Sequence, residues 1–402
     1  MSFQQGLSGL NGAAKALDAI GNNVSNASTS GFKSSSAQFA DVFASSLTGG
    51  GGTQVGIGTT INAVKQSFTQ GNISVTNNPL DVAINGGGFF RMSDNGAISY
   101  TRNGQFLIDK DGYVVNSAAQ RLTGYAATAT GVIVPSTPSE IRVDTSDLTP
   151  QATSLSEVGL NLDSRQGVPA TAFAVTDPTS YNASTSMSVY DTLGNSHVMG
   201  IYFVKTATAN QWSLYTNLDG GAPTAATTVT FTAAGQLSGF TPVAQSFAVT
   251  TGATSPMTYN LDLTGSTQFG SSFGVNRIAQ DGYTSGRLSG VAISPDGIMQ
   301  GRYSNGQSRN LSQIVLVNFN NPNGLQPLGG NQWAESSASG QPIIGAPASG
   351  TLGVLQSAAI EESNVDLTAE LVSMITAQRN YQANAQTIKT QDQVLQTLVN
   401  LR

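Results

Sequence analysis

The sequence predicts an α+β multidomain protein: terminal α-helical coiled-coil segments, with two mainly antiparallel β domains nested between them. Three observations predict it. Both ends carry apolar residues at alternating steps of four and three. The interior is dense with short strand-like runs cut by Asn-Gly and Asp-Gly turns. The texture of those runs changes near residue 145 and changes back near residue 285.

The C-terminal helix is the plainest element. From Asp366 to Arg402 there is no proline and no glycine. Leu367, Leu371, Met374, Gln378, Tyr381, Ala385, Ile388, Asp392, Leu395, Val399 and Arg402 form a mostly apolar heptad seam. Asn364 is the expected N-cap, and Asp366 and Glu370 place negative charge at the positive end of the helix dipole. At about 1.5 Å per residue this is a rod of roughly 55 Å. No helix-rich domain precedes it, so it needs a partner from elsewhere. Phe3, Leu7, Leu10, Ala14, Leu17, Gly21 and Val24 repeat the same steps at the other end. Gly6, Gly9, Gly12 and Gly21 each cost about 1 kcal/mol relative to Ala, so this helix needs pairing to form. The expectation is an antiparallel or bundled coiled coil that continues between subunits, the alternative being a local αα-hairpin. Its candidate self-assembly interface is Phe3, Leu7, Leu10, Leu17 and Val24 with Leu371, Met374, Tyr381, Ile388, Leu395 and Val399.

Between the ends, Ser25 to Lys33 is a small polar cluster that should stop the first helix. Gly49 to Gly52 reads as a mobile loop; no Lys-Ser or Lys-Thr follows, so it is not a P-loop. Residues 31–70 are expected as an extended linker segment. From Leu80 to Tyr125 strand runs alternate with turns at Asn95-Gly96, Asn103-Gly104 and Asp111-Gly112. Pro135 and Pro138 mark a boundary. Beyond them lies a Thr-, Ser- and Ala-rich region with aromatic-bearing strands, such as Met199 to Val204 and Gln211 to Tyr215. The first rhythm resumes at Tyr283 and runs to Pro342 and Pro347. The predicted division is therefore 1–30 with 363–402 as a terminal coiled-coil core, 71–144 with 285–362 as an inner β domain, and 145–284 as an inserted β domain.

Composition excludes much chemistry. The 402 residues contain no cysteine and one histidine, which removes disulfides, thiolate zinc sites, thiol catalysis and multi-histidine metal sites. Only 10% of residues are charged, and the net charge is −6 with no basic cluster, which argues against nucleic acid and anionic membranes. No stretch is long and apolar enough to span a membrane, and the first residues lack the basic start and apolar core of a signal peptide. By ordinary rules the chain would be cytoplasmic. Gly270-Ser271-Ser272-Phe273-Gly274 has nucleophile-elbow spacing, but no histidine follows Ser272 to complete a triad. Asp109 to Gly112 resembles part of a calcium loop and is better read as a hairpin turn, since no Glu stands at the bidentate position. His197 is expected as a half-exposed strand residue, and Glu361-Glu362 adjoin the last helix rather than a cleft. No catalytic residue, metal or cofactor is expected.

Three motifs carry a family resemblance. Asn22 to Lys33 resembles the N-terminal signature of bacterial flagellar rod and hook proteins. Asn103 to Phe106, with Asp111 to Val115 and Leu122 to Tyr125, resembles their shared β-domain motif. Ser363 to Asp366, with Gln378 to Thr390, resembles their C-terminal signature. The inserted region and the length are similar to the hook members rather than the shorter distal-rod members. The resemblance implies a hook subunit, exported unfolded by the flagellar type III apparatus without a cleaved signal peptide. It would assemble with copies of itself into a curved hollow extracellular tube that transmits torque as a universal joint. The terminal helices would line the channel, with residues 145–284 outermost. Implied neighbours are a rod protein below, a hook–filament junction protein above, and the hook cap during growth, with no membrane insertion. A distal-rod-type subunit, a secreted β-rich binding module and a carboxylate hydrolase are the rival readings.

Overall fold

The computed structural model describes residues 2–42 and 56–400. The Gly49–Gly52 loop and Arg402 lie outside the described residues. Among the described residues two α-helices, α1 (Ser2–Ser25) and α2 (Leu367–Asn400), stand at the ends, and strands, turns and two three-residue 3-10 helices lie between them. The chain divides into two compact units, one of residues 1–144, 290–302 and 308–402, the other of residues 145–289 and 303–307.

In the first unit, early and late segments interleave within shared sheets. Its largest sheet runs Leu288–Ile293, Ile298–Tyr303, Ser308–Ile314, Arg121–Ala126, Phe89–Asp94, Ala97–Thr101, Gln332–Ala334 and Gln326–Gly329, with shorter strands off this path. The hairpin Phe89–Asp94/Ala97–Thr101 turns at Asn95-Gly96, where both residues take the positive φ that a two-residue turn demands. The aspartate of the calcium-like sequence serves a turn, since Asp109 Oδ1 accepts from Asp111 N at 2.9 Å and Tyr113 N at 2.7 Å. Phe89, Tyr100, Val317, Phe319, Leu325 and Trp333 form an aromatic core within this sheet's territory, with rings meeting edge to face.

Closer to the helices, β1 (Ser35–Val42) and β2 (Gly58–Gln66) pair antiparallel from Ser35↔Gln66 to Val42↔Gly58. The stretch expected as an extended linker therefore doubles back on itself, which satisfies its backbone groups without a larger sheet. Next, β3 (Ile73–Val75) pairs with Ala359–Glu361, and β4 (Val82–Asn85) with Val354–Ser357. The residues just before α2 are thus sewn to those that follow the hairpin.

The second unit is two sheets around one core. A four-stranded antiparallel sheet runs through Ala183–Tyr190, Ser196–Lys205, Gln211–Leu218 and Thr227–Thr230. The other sheet is built on Leu155–Asp163. Period-2 alternation turns Met187, Val189, Ile201, Phe203, Trp212 and Leu214 inward, against Val158, Leu160, Leu162, Phe247, Tyr259 and Leu261. Trp212 is fully buried and donates its indole N–H to Gln268 Oε1 at 2.8 Å. The mainly antiparallel expectation has an exception here. Leu155–Asp163 runs parallel to Met257–Asp262 and to Thr267–Phe269, because one long central strand takes neighbours from distant parts of the chain. Against the expected 145–284, this unit also takes in residues 285–289 and 303–307; Leu148 bridges Gly286, and Ser304 N donates to Arg287 O.

Candidate self-assembly site

The end of the first motif meets the starts of the other two, at Asn103 and Asn364, in the first unit. Beyond α1 the chain turns through Gly31, whose φ of +72° suits glycine, and a Cβ there would lie 2.6 Å from Asn103 N. Gly31 N donates to Glu361 O at 2.8 Å. Two residues on, Lys33 is buried, and its ammonium sits 2.7 Å from both Glu361 Oε1 and Thr69 O. Arg102 reaches the other oxygen of Glu361 at 3.1 Å and the carbonyl of Gly86 at 2.9 Å, while Gly71 N donates to Glu361 Oε1. Burial lowers the Lys33 and Arg102 pKa values, against the pull of Glu361. One buried carboxylate thus holds the end of α1, the end of the β1–β2 hairpin, the sheet and the entry to α2.

Two asparagines extend the junction. Asn23 donates to Ser35 O and Glu370 Oε1 and accepts from Ser35 N, tying α1 to both the hairpin and α2. Asn364 accepts from Ser34 N at 2.8 Å and donates to Ser67 O and Thr69 O. The N-cap expected at Asn364 is instead Asp366, whose Oδ1 accepts from Thr368 N and Ala369 N. Asn364 is committed to the hairpin, and Asp366 is the next residue able to reach the helix donors.

The helices run antiparallel and approach closely through glycines. A Cβ on Gly6 would lie 3.0 Å from Ile388 Cγ1, and one on Gly9 would lie 2.7 Å from Asn384 Oδ1. These glycines weaken α1 as an isolated helix, yet they are what admits α2. The contact phase differs from the expected seam. Among the described residues of α2 the less exposed positions are Glu370, Met374, Ala377, Asn384, Ala385, Ile388 and Gln391, and of the described seam positions only Met374, Ala385 and Ile388 are among them. The small and polar face is turned to α1 because Gly6, Gly9 and Asn23 favour close approach and hydrogen bonding over bulk.

The candidate interface residues are accordingly divided. Leu10, Leu17, Val24, Met374 and Ile388 are half-buried, whereas Phe3, Leu7, Leu371, Tyr381, Leu395 and Val399 are exposed. Val372 and Ile375 add to the exposed apolar surface of α2 at 60% and 51% exposure. The β1–β2 hairpin leans on α1, with Gln5 Nε2 donating to Gly56 O and Thr59 N to Ser8 Oγ, and shows Phe39, Ile61 and Val64 to solvent. Between α1, α2 and the hairpin lies a groove of about 420 Å³ lined by Gly9, Gly12, Ala13, Phe39, Ala377 and Asn384.

Sequence reasoning missed the Lys33–Glu361–Arg102 cluster. Its one available signal was charge inside or beside motifs in a chain where charge is scarce. It also placed His197 as half-exposed, whereas the ring is buried between two aspartates, because the turns on either side fold over it. Ser272 lies between two strands, and the neighbouring Ser271 takes the amide of Asn161. Among the described residues no cluster of ligating side chains could hold a metal, and no helix is long and apolar enough to cross a membrane.

Four flagellar family models match both ends and the interior of the chain. Residues 3–33 match the flagella basal body rod protein model, and residues 83–149 the flagellar hook protein FlgE/F/G D1 domain. Residues 161–283 match the flagellar basal body protein FlaE D2 domain, and residues 356–401 the flagellar basal body rod FlgEFG protein C-terminal model. The chain is 45% identical to the flagellar hook protein FlgE of Salmonella typhimurium and 43% identical to that of Escherichia coli, over the whole length of each. It belongs to the flagellar hook protein FlgE family. In structure it resembles the hook protein FlgE2 of Helicobacter pylori, with a TM-score of 0.52 at 14% identity, covering 72% of this chain and 99% of that one; this likeness bears on the fold alone.

Proposed function

We propose that the chain is the structural subunit of a bacterial flagellar hook, polymerising with copies of itself into a curved hollow tube that carries torque as a universal joint. The full-length similarity to hook proteins carries this reading. The physical support is the apolar surface that both helices leave open among the described residues. Repeated head-to-tail contacts between such surfaces give filaments rather than closed rings. In this proposal 1–30 with 363–402 form a coiled-coil core whose contacts continue between subunits, using Phe3, Leu7, Leu371, Tyr381, Leu395 and Val399. Residues 31–70 stiffen the link to an inner β domain of 71–144 with 285–362, and 145–284 form the outer layer. Export through the flagellar apparatus, extracellular placement, and neighbours at the rod, the junction and the cap belong to the same reading. The function is mechanical, with no catalytic residue and no cofactor. Electron microscopy of the purified full chain tests it. Tubes are expected above a critical concentration, and a chain that stays monomeric at every concentration, and whose loss leaves cells swimming, refutes it.

A further inference from the structure

The chain's one histidine, His197, opens the strand Ser196–Lys205 with 6% of its surface exposed. Its Nδ1 lies 2.6 Å from Asp219 Oδ2 and its Nε2 lies 3.3 Å from Asp191 Oδ2. A carboxylate oxygen only accepts, whereas a neutral imidazole has one nitrogen that donates and one that accepts. A neutral ring would aim a lone pair at one of the two carboxylates, so only the imidazolium satisfies both. Asp191 is held by Leu193 N, Asn195 N and the Asn195 amide, and it accepts the Thr251 hydroxyl at 2.6 Å. Asp219 accepts from Val198 N at 2.8 Å, and Thr254 N donates to Thr192 Oγ1 at 3.0 Å. The ring therefore joins three places: the 191–195 turn, the 218–221 turn and, through Asp191, the 248–256 loop. Beside it lies a crevice of about 570 Å³ lined by His197, Asp219, Pro223, Phe247, Thr250 and Thr251. Asp191 and Asp219 are the titratable groups facing the ring; residues 222–224 and 246–251 carry none.

We propose that His197 is a pH-operated clasp. While protonated it holds the 248–256 loop and the 218–221 turn against the end of the sheet, and on losing its proton it lets them part and opens the crevice. This reading is independent of whether the chain polymerises. Burial acts to lower the ring's pKa, but the hydrogen bonds and charges of Asp219 and Asp191 outweigh it, so the net direction is upward from 6.5. The ring's contribution is thus complete below the unfolded value and is lost as pH rises through the higher folded value. Burial also opposes the charge on each aspartate, but hydrogen bonds carry both pKa values below the usual carboxylate range. Their contribution is lost only in acid. The clasp is closed below the ring's folded-state midpoint, which lies above 6.5, and opens as pH rises through it.

Because the histidine is unique, its NMR signal in the selectively labelled full chain reports this one site. Both ring nitrogens should be protonated at pH 6, with a midpoint above 6.5. Hydrogen-exchange protection factors of residues 248–256 should fall about tenfold as pH passes that midpoint. Asp219→Asn, a change at a half-exposed position, should lower the midpoint by about one pH unit or more and move the loss of protection with it. Thr251→Val should leave the ring's titration in place while the loop stops following it. A wild-type midpoint at or below 6.5, loop protection independent of pH, or no movement in Asp219→Asn each overturns the proposal.

Discussion

Glu361 accepts bonds from Lys33, Arg102 and Gly71 and is among the most buried polar residues, so its worth lies in what happens when it is removed. Two buried cations facing a neutral amide would lose their compensation while keeping their desolvation cost. Glu361→Gln is expected to destabilise the first unit by about 3–5 kcal/mol, the usual cost of breaking a buried ion pair from one side. Thermal unfolding followed by circular dichroism should show a lowered transition for that unit. The sandwich of the second unit keeps its own core and should melt as before. An unchanged first transition would show that the cluster is dispensable. The position of Glu361 next to Glu362 in sequence hides this difference, since Glu362 is exposed and bonds to Asn72.

At the scale of the element, α2 presents two faces with different duties. One meets α1 through Asn384 and Ile388, and the other carries Leu371, Val372 and Ile375 to solvent. Burying a large apolar side chain contributes about 1.5–3 kcal/mol, so these outer residues supply substantial association energy when a neighbour covers them. Ile375→Asp should abolish tube formation while leaving the monomer's melting within about 0.5 kcal/mol of wild type, as expected for a surface change. Ile388→Asp differs, because Ile388 already packs against Gly6 within the chain; it should loosen the helix pair as well as block assembly. Sedimentation and melting of the two variants separate these effects. Equal behaviour in both assays would mean that the two faces are not distinct.

For the whole molecule, the question is when the ends become ordered. Fixing the backbone costs about 1–2 kcal/mol per residue. The α1–α2 contact is made largely of small and polar residues, so it recovers little of that by apolar burial. Amides of Leu371 to Val399 are therefore expected to exchange faster in the monomer, where the helix pair is only marginally held, than in the polymer, while the β core is protected in both. Strong protection of α2 in the monomer would contradict assembly-coupled ordering. The second unit has its own core, so a chain lacking residues 145–284 should still polymerise, into tubes straighter or less uniform in curvature. Loss of all polymer would place that unit in the assembly core. Electron microscopy of the deletion variant distinguishes the two.

The sequence by itself determined what is periodic or local. The helices at both ends follow from uninterrupted heptad steps, the hairpins from Asn95-Gly96 and Asp111-Gly112, and the absence of thiol chemistry from composition alone. The family was readable because its motifs are contiguous stretches. What only tertiary structure decided is pairing at a distance. Lys33 and Glu361 are separated by most of the chain, and nothing in either residue's neighbourhood names the other. The same holds for the role of Asn364, for the parallel neighbours of Leu155–Asp163, and for the two aspartates around His197. The phase of α2 against α1 belongs here too. Hydrophobic periodicity marks the face with most apolar surface, but which face meets a given partner depends on how closely that partner's backbone approaches. Gly6 and Gly9 settle that distance in favour of the smaller side chains, leaving the larger ones free.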